Sequence, residues 1–197
     1  MNLTTWAQLV VLAAVAWWAI GVYNRLVKLH NRIANAFGQI DVQLKRRHDL
    51  VPNLVEVARG YLKHEAATLE AVIQARGQAQ GAAQAARNQP TNAATMGALA
   101  VAEGALGSSL GHLMVVAENY PDLKADATMA ALSEELTSTE NRIGFARQAY
   151  NDQVLDFNNL ATQFPAVLVA RLTGLPPAAM LESTQSEAER QAPRVQF

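Results

Sequence analysis

The feature that most constrains this chain is a long apolar run near its amino terminus. Between Leu3 and Tyr23 the only polar side chains are two threonines and Gln8. A helix of about 17 to 21 residues reaches roughly 25–31 Å, which matches the hydrocarbon core of a bilayer. The run therefore predicts a transmembrane anchor over residues 1–23.

Aromatic residues flank this run, as they do at the two surfaces of a membrane. Trp6 lies near one end, and Trp17, Trp18 and Tyr23 lie toward the other. The alternative is a cleaved signal peptide, because residues 14–16 (Ala-Val-Ala) resemble a cleavage site. An uncleaved anchor is favoured, since no Lys or Arg precedes the run and apolar residues continue beyond that site.

Basic residues follow the apolar run closely, and none precedes it. Arg25, Lys28 and Arg32 come directly after its end. The positive-inside rule therefore predicts a single-pass protein whose large domain is cytoplasmic. The same side chains are also placed to contact membrane lipid, although fixing the orientation is their simpler role.

Composition favours helices and excludes several classes of protein. Half of the residues are apolar and only 6% are aromatic, and alanine is abundant. The net charge of −1 leaves no electrostatic footprint for nucleic acid. With no cysteine, the chain has no disulfide frame, no thiolate nucleophile and no Cys-ligated zinc.

Apolar periodicity after the anchor predicts an all-α domain over residues 24–175, with about four long antiparallel helices. Asp49 is expected to cap the second helix, with Pro52 in its first turn. A short fifth helix and an extended tail over residues 176–197 are expected to follow. The long helices are predicted from the anchor to about His48, from Leu50 to Arg87, from the Asn88–Asn92 turn to Asn119, and from Asp126 to Gln163.

Charged residues interrupt the apolar faces of these helices. Glu140 and Arg147 occupy seam positions that the pattern otherwise gives to Ile, Tyr and Val. Buried charges must be paired, so the pattern predicts a network that sets helix register rather than performing catalysis. The predicted network consists of Arg47, Asp49, Glu65, Arg76, Glu140 and Arg147.

Glycines recur at seven-residue spacing in the third helix, at Gly97, Gly104 and Gly111. A glycine inside a helix costs about 1 kcal/mol relative to alanine. The row therefore predicts a partner helix that approaches very closely. A loosely formed helix is the alternative.

The chain carries no recognisable catalytic or metal-binding motif. His64-Glu65 is not followed by the second histidine of a zinc protease, and no Glu-x-x-His tetrad of a di-iron bundle occurs. A phosphate loop and a nucleophile elbow are also missing. We therefore expect no active site, no cofactor and no metal.

Several blocks of sequence closely resemble the LemA family, in the family's order and over nearly the whole chain. The resemblance implies a bacterial membrane protein with an amino-terminal anchor and an antiparallel helical domain, and we expect it in the cytoplasmic (inner) membrane. It also implies a link of one lineage to magnetosome membranes, genes that neighbour those of membrane proteases, and no established enzymatic activity. The blocks are Tyr23-Asn24-x-Leu-Val, residues 40–55 (Ile-Asp-Val-Gln-Leu-Lys-Arg-Arg-His-Asp-Leu-Val-Pro-Asn-Leu-Val), Gly60-Tyr61, His64-Glu65, residues 117–125, Thr139-Glu-Asn-Arg-Ile143, Arg147-x-x-Tyr-Asn151, Val154 and Phe164-Pro165.

Three functions remain open from the sequence. The first is a scaffold that assembles into a homo-oligomer, with Arg194, Val195 and Phe197 pairing as an edge strand on a neighbouring subunit. The second is an adaptor or regulator of a membrane protease or sensor. The third, which is disfavoured, is an enzyme that works through one of the helix carboxylates.

Overall fold

The computed structural model describes residues 2–182, and its regular structure there is entirely helical. The predicted all-α architecture, in which an amino-terminal apolar helix runs on into a bundle, is confirmed. The predicted assembly-tail residues Arg194, Val195 and Phe197 lie outside the described residues. The helices are α1 (Leu3–Tyr61), α2 (Ala66–Asn88), α3 (Ala93–Ala117), α4 (Pro121–Lys124), α5 (Ala127–Thr162) and α6 (Ala166–Leu172).

The helix α1 contains 59 residues and has two parts of different character. Its first part is long and apolar enough to cross a membrane. No residue of its most apolar 18-residue window is buried by the described residues. From Leu26 onward one face is buried, through Ile33, Phe37 and Leu44. The apolar run and the first helix of the bundle are therefore one continuous rod.

The expected helix boundary at Asp49 and Pro52 is wrong. Helix α1 continues through both residues, and the break falls after Tyr61. Proline removes the N–H that would bond the carbonyl four residues earlier, which here belongs to His48. The Nε of Arg76 donates a hydrogen bond of 2.6 Å to that carbonyl. A side chain of α2 thus replaces the missing backbone donor, so the helix persists through the proline.

Helix α5 runs antiparallel to α1 and packs along it. Two edge-on ring contacts show the direction, because His30 meets Phe157 at 5.8 Å and Phe37 meets Tyr150 at 6.2 Å between centroids. Helices α2 and α3 form the second antiparallel pair, with α2 also packed on α1. The core divides along the length of α1: one cluster lies against the part from Leu26 to Leu44, and the other lies against the part from Val51 to Ala58.

Short polar side chains begin two of the helices. Asn92 accepts a hydrogen bond of 2.8 Å from the N–H of Ala94 at the start of α3. Asp126 accepts bonds of 2.8 and 2.9 Å from the N–H groups of Thr128 and Met129 at the start of α5. The predicted turn after Asn88 and the predicted cap at Asp126 are both confirmed.

The described part of the expected tail lies on its own subunit. Asn158 both donates to and accepts from the backbone of Ala178, at 2.9 and 2.8 Å. Asn151 does the same with Leu181, at 3.1 and 2.9 Å. The hydroxyl of Tyr150 lies 2.7 Å from the Ala179 carbonyl, and its burial raises its pKa above the usual value. Side chains of α5 therefore hold this segment through hydrogen bonds to its backbone.

Candidate functional site

A groove opens where α1, α3 and α5 converge, and we call it the central groove. Its volume is about 460 Å³. Helix α1 contributes Arg47, α3 contributes Gly104 and Ser108, and α5 contributes Glu140 and Arg147. Polar side chains from three helices thus meet in this groove.

A paired group of charges lies at the base of this groove. Glu103 binds His48 through Oε1 at 2.7 Å and Arg47 through Oε2 at 3.3 Å. These three side chains are only 4–13% exposed. The Nη1 of Arg47 also lies 3.1 Å from Oε2 of Glu140. Each buried charge therefore has an opposite or hydrogen-bonding neighbour, as burial requires.

Gly107 creates the space that Arg47 needs. A Cβ atom at this glycine would lie 3.3 Å from the Nη2 of Arg47. The lack of a side chain at Gly107 therefore leaves room for the Arg47 guanidinium, which binds Glu103. Here a glycine of α3 does permit a close approach, but the approaching group is a side chain rather than a second helix.

The predicted glycine row has a different environment. At Gly97 and Gly111 an added Cβ would meet nothing within 4 Å. Gly104 is exposed and lines the central groove. The predicted close partner is therefore not a described helix of this chain, because α3 packs on α2 through its opposite, leucine-rich face. A close partner helix at the glycine row stays a prediction.

The six groups predicted to form one buried network are dispersed instead. The side chain of Glu140 is 58% exposed at the rim of the groove, so its predicted burial is wrong. Asp49 is exposed and binds Lys45 at 2.7 Å, and this hydrogen bond lowers its pKa. Glu65 accepts a bond of 3.4 Å from the Tyr120 hydroxyl.

Two arginines of the predicted network have separate positions. Arg76 donates its hydrogen bond to the backbone carbonyl of His48. Arg147 is half-buried and lines the central groove, where it forms no ion pair or hydrogen bond with a described residue. The structure therefore joins only Arg47 and Glu140 from the predicted set.

Glu103 is the central residue that the sequence reasoning missed. It is the only acidic residue in α3. A lone carboxylate in an apolar helix is the signal that would have found it, since it must be paired or reach solvent. Spacing along the sequence does not link His48 to Glu103, because 55 positions separate the two residues.

The predicted membrane-interface residues lie along the first part of α1 and just beyond it. Trp6, Trp17, Trp18 and Tyr23 are all exposed, by 40–83%. Arg25 and Lys28 line a second groove near the end of the apolar segment. Among residues 2–182, no three His, Cys, Asp or Glu side chains are grouped as metal ligands would be.

The fold and this site define a class of helical-bundle proteins whose first helix extends beyond the bundle as an apolar rod. The chain belongs to the LemA family, whose model matches residues 36–197. The apolar segment and this membership together indicate a membrane-associated helical protein.

Individual relatives show how far the similarity extends. Magnetosome protein MamQ of Magnetospirillum gryphiswaldense is 25% identical, over 77% of this chain and 61% of the relative. Magnetosome protein MamQ 2 of Paramagnetospirillum magneticum is 28% identical over the same shares. Protein LemA of Metamycoplasma hominis is 26% identical, over 85% of this chain and 72% of its own length. The chain thus spans about three fifths of the MamQ proteins.

Proposed function

We propose that this protein is a membrane-anchored, non-enzymatic scaffold that assembles into a homo-oligomer at the bacterial cytoplasmic membrane. Its bundle lies on the cytoplasmic side, as the basic residues after the apolar segment favour. The observation that carries the assembly is a seam on α3 whose residues stay exposed among the described residues 2–182. In the central groove, Arg47 binds both Glu103 and Glu140, and His48 also binds Glu103; these internal pairs support a structural rather than a catalytic role.

The α3 seam has the period of a coiled-coil contact. Its members alternate at spacings of four and three residues, which keeps them on one helix face. All six are exposed, and the two valines are each 61% exposed. The seam consists of Gly97, Val101, Gly104, Ser108, Gly111 and Val115.

The seam fits a second copy of the same helix. It contains no charged side chain, and four of its six members are glycine or serine. Small residues let two helix backbones approach closely, which increases their van der Waals contact. Copies anchored in one membrane share a plane and present the same seam, so self-association requires no further partner.

Substitutions at open glycines test this assembly. Gly97→Leu and Gly111→Leu place bulk on the seam, where the single chain has free space. The matched control is Gly77→Leu on the exposed face of α2, where an added Cβ would also meet nothing within 4 Å. In mild detergent we expect both seam variants to have the mass of a monomer, while the control retains the mass of the oligomer. Seam variants with an unchanged particle mass would exclude this interface.

Cross-linking in membranes gives an independent test, because the chain has no cysteine of its own. Gly111→Cys should form disulfide-linked dimers on mild oxidation. Val42→Cys, at a residue of α1 that is 60% exposed, is the control for random collision. Equal dimer yields from the two variants would contradict a contact through α3.

The alternative function is that of an adaptor for a membrane protease or another membrane protein, and Arg147 favours it. This half-buried guanidinium lines the central groove and lacks a described partner. It is therefore placed to donate hydrogen bonds to a carboxylate of another protein. A partner that co-purifies in stoichiometric amount, and is lost in Arg147→Gln, would support this function over self-assembly.

A further inference from the structure

We propose that the anchor-proximal end of the bundle is a binding surface for anionic phospholipid. It combines a basic groove for the head-group phosphate with an apolar stripe that enters the bilayer. This inference rests on the membrane anchoring proposed above and adds a lipid class and a site to it.

The basic groove lies between α1 and α5. Its volume is about 650 Å³. Arg25, Lys28 and Arg32 line it from α1, where spacings of three and four residues keep them on one helix face. Asn159 of α5 and Gln163, the residue directly after α5, also line it, and both carry side-chain amides.

The charges in this groove are not neutralised within the described chain. Arg25, Lys28 and Arg32 are exposed and form no ion pair with a described residue. Asp156 is the one acidic residue in the lining, so three positive charges face one negative charge. Guanidinium groups bind phosphate through paired N–H donors, and the amides add neutral donors beside them.

The groove lies at the depth of lipid head groups. Arg25 follows the end of the apolar segment at Tyr23 by two residues, which is about 3 Å along the helix axis. The position of these cations is therefore set by the same rod that crosses the bilayer. A phosphate bound there need not leave the membrane surface.

An apolar stripe lies at the same end of the bundle. Phe164, Leu168 and Leu172 follow at four-residue spacing and are 81%, 52% and 88% exposed. Helix α6 packs on α1 and α5 through its other face, where Ala170 joins the cluster that contains Leu26. The stripe is therefore presented beside the point where α1 leaves the bundle. Apolar side chains next to cations are the pattern of an element that lies in a membrane surface.

Spin labels on single cysteines test whether the stripe enters lipid. Leu168→Cys and Leu172→Cys are labelled in the full-length protein and reconstituted into vesicles of phosphatidylcholine with phosphatidylglycerol. Leu12→Cys reports the anchor, and Val42→Cys, an exposed residue farther along α1, reports the aqueous phase. We expect labels at 168 and 172 to collide more with oxygen than with a water-soluble nickel complex, as the label at 12 does.

This experiment distinguishes failure of the lipid-binding surface from failure of the membrane anchor. Aqueous behaviour at 168 and 172 with an immersed label at 12 would overturn the lipid-binding surface and leave the anchor in place. Aqueous behaviour at all three positions would also remove the membrane anchor.

Lipid retention in native mass spectrometry tests the basic groove. In detergent, the full-length protein should retain phosphatidylglycerol in preference to phosphatidylcholine. Each cation near an anionic surface contributes roughly fivefold, so Arg25→Gln/Lys28→Gln/Arg32→Gln should reduce this preference by at least about tenfold. The matched control, Arg59→Gln/Lys63→Gln/Lys124→Gln, removes the same charge at the distal end of the bundle.

Two results would overturn this assignment. Equal preference in the triple variant and its control would show that the groove does not select the head group. Displacement of phosphatidylglycerol by millimolar inorganic phosphate alone would assign the groove to free phosphate instead of lipid.

Discussion

Pro52 occupies the interior of α1, where proline ordinarily costs about 3 kcal/mol or more because a backbone hydrogen bond is lost. The carbonyl left without its donor is that of His48, and the Nε of Arg76 lies 2.6 Å from it. The same histidine binds Glu103 through its ring at 2.7 Å. One residue of α1 is thus tied to α2 by its backbone and to α3 by its side chain.

This arrangement makes a prediction about two coupled substitutions. Arg76→Met retains the apolar stem but removes the donor, so it should lower the free energy of unfolding by about 1.5–3 kcal/mol. In a Pro52→Ala background residue 52 regains its N–H, and the same Arg76→Met change should then cost less than half as much. Chemical denaturation of the four combinations measures this coupling. Equal costs in the two backgrounds would show that Arg76 acts independently of the proline.

At the scale of elements, the start of α5 is joined to the end of α1. The Tyr61 hydroxyl donates a hydrogen bond of 2.9 Å to Oδ2 of Asp126, whose Oδ1 caps α5. The backbone N–H of Met129, followed by the Tyr61 hydroxyl, lowers the pKa of Asp126 below its usual value. The same bond raises the pKa of Tyr61. The Asp126 carboxylate thus caps α5 and also binds the Tyr61 side chain at the end of α1.

The direction of that shift sets how the stability should respond to acid. Because the pKa of Asp126 is lower in the folded chain, the ionised carboxylate stabilises the fold at pH values above the unfolded pKa of about 3.9. This contribution is lost as the pH falls through the folded pKa. Asp126→Asn keeps the capping oxygen but does not titrate, so its melting temperature should fall less steeply from about pH 5 to about pH 2.

A matched carboxylate on the same helix provides the control. Asp152 is exposed and makes no hydrogen bond or ion pair with a described residue, so Asp152→Asn should keep the wild-type slope. Thermal melts followed by circular dichroism give the comparison. Parallel acid profiles for Asp126→Asn and the wild type would contradict the ionised cap.

At the scale of the whole molecule, α1 sets the distance between its apolar segment and the far end of the bundle. A helix of 59 residues is about 90 Å long, and its portion after Tyr23 projects about 55 Å. Helices α2 and α5 both pack on that projecting portion. In the proposed anchored orientation, this continuous helix would hold the bundle at a set height above the bilayer, which suits the proposed scaffold.

The orientation of this rod is open to direct measurement. The positive-inside argument predicts that residue 2 is outside the cytoplasm and residue 60 inside it. A membrane-impermeant maleimide added to intact spheroplasts should label Asn2→Cys, whereas Gly60→Cys should react only after permeabilisation. Both positions are exposed in the structure, so access within the protein does not limit the reaction. Labelling of residue 60 alone in intact spheroplasts would reverse the topology.

The local properties of the chain could be predicted from sequence because they depend on neighbouring residues. Apolar periodicity predicts the continuous rod. The turn-forming residues after Asn88 and the capping preference of Asp126 predict the other two features, since each depends on residue types close in sequence. Pro52 predicts a helix boundary that the structure does not have. Its compensating donor, Arg76, comes from another helix, and no local pattern reports it.

The sequence by itself determined that this protein is helical, that its first helix is apolar enough to enter a bilayer, and which family it resembles. Only the tertiary structure decided which charges meet, because Arg47, Glu103 and Glu140 come from three different helices. It also decided that the glycine row of α3 faces outward. A row of small residues specifies that some surface can approach closely, but the packing of the other helices determines whether that surface belongs to the same chain.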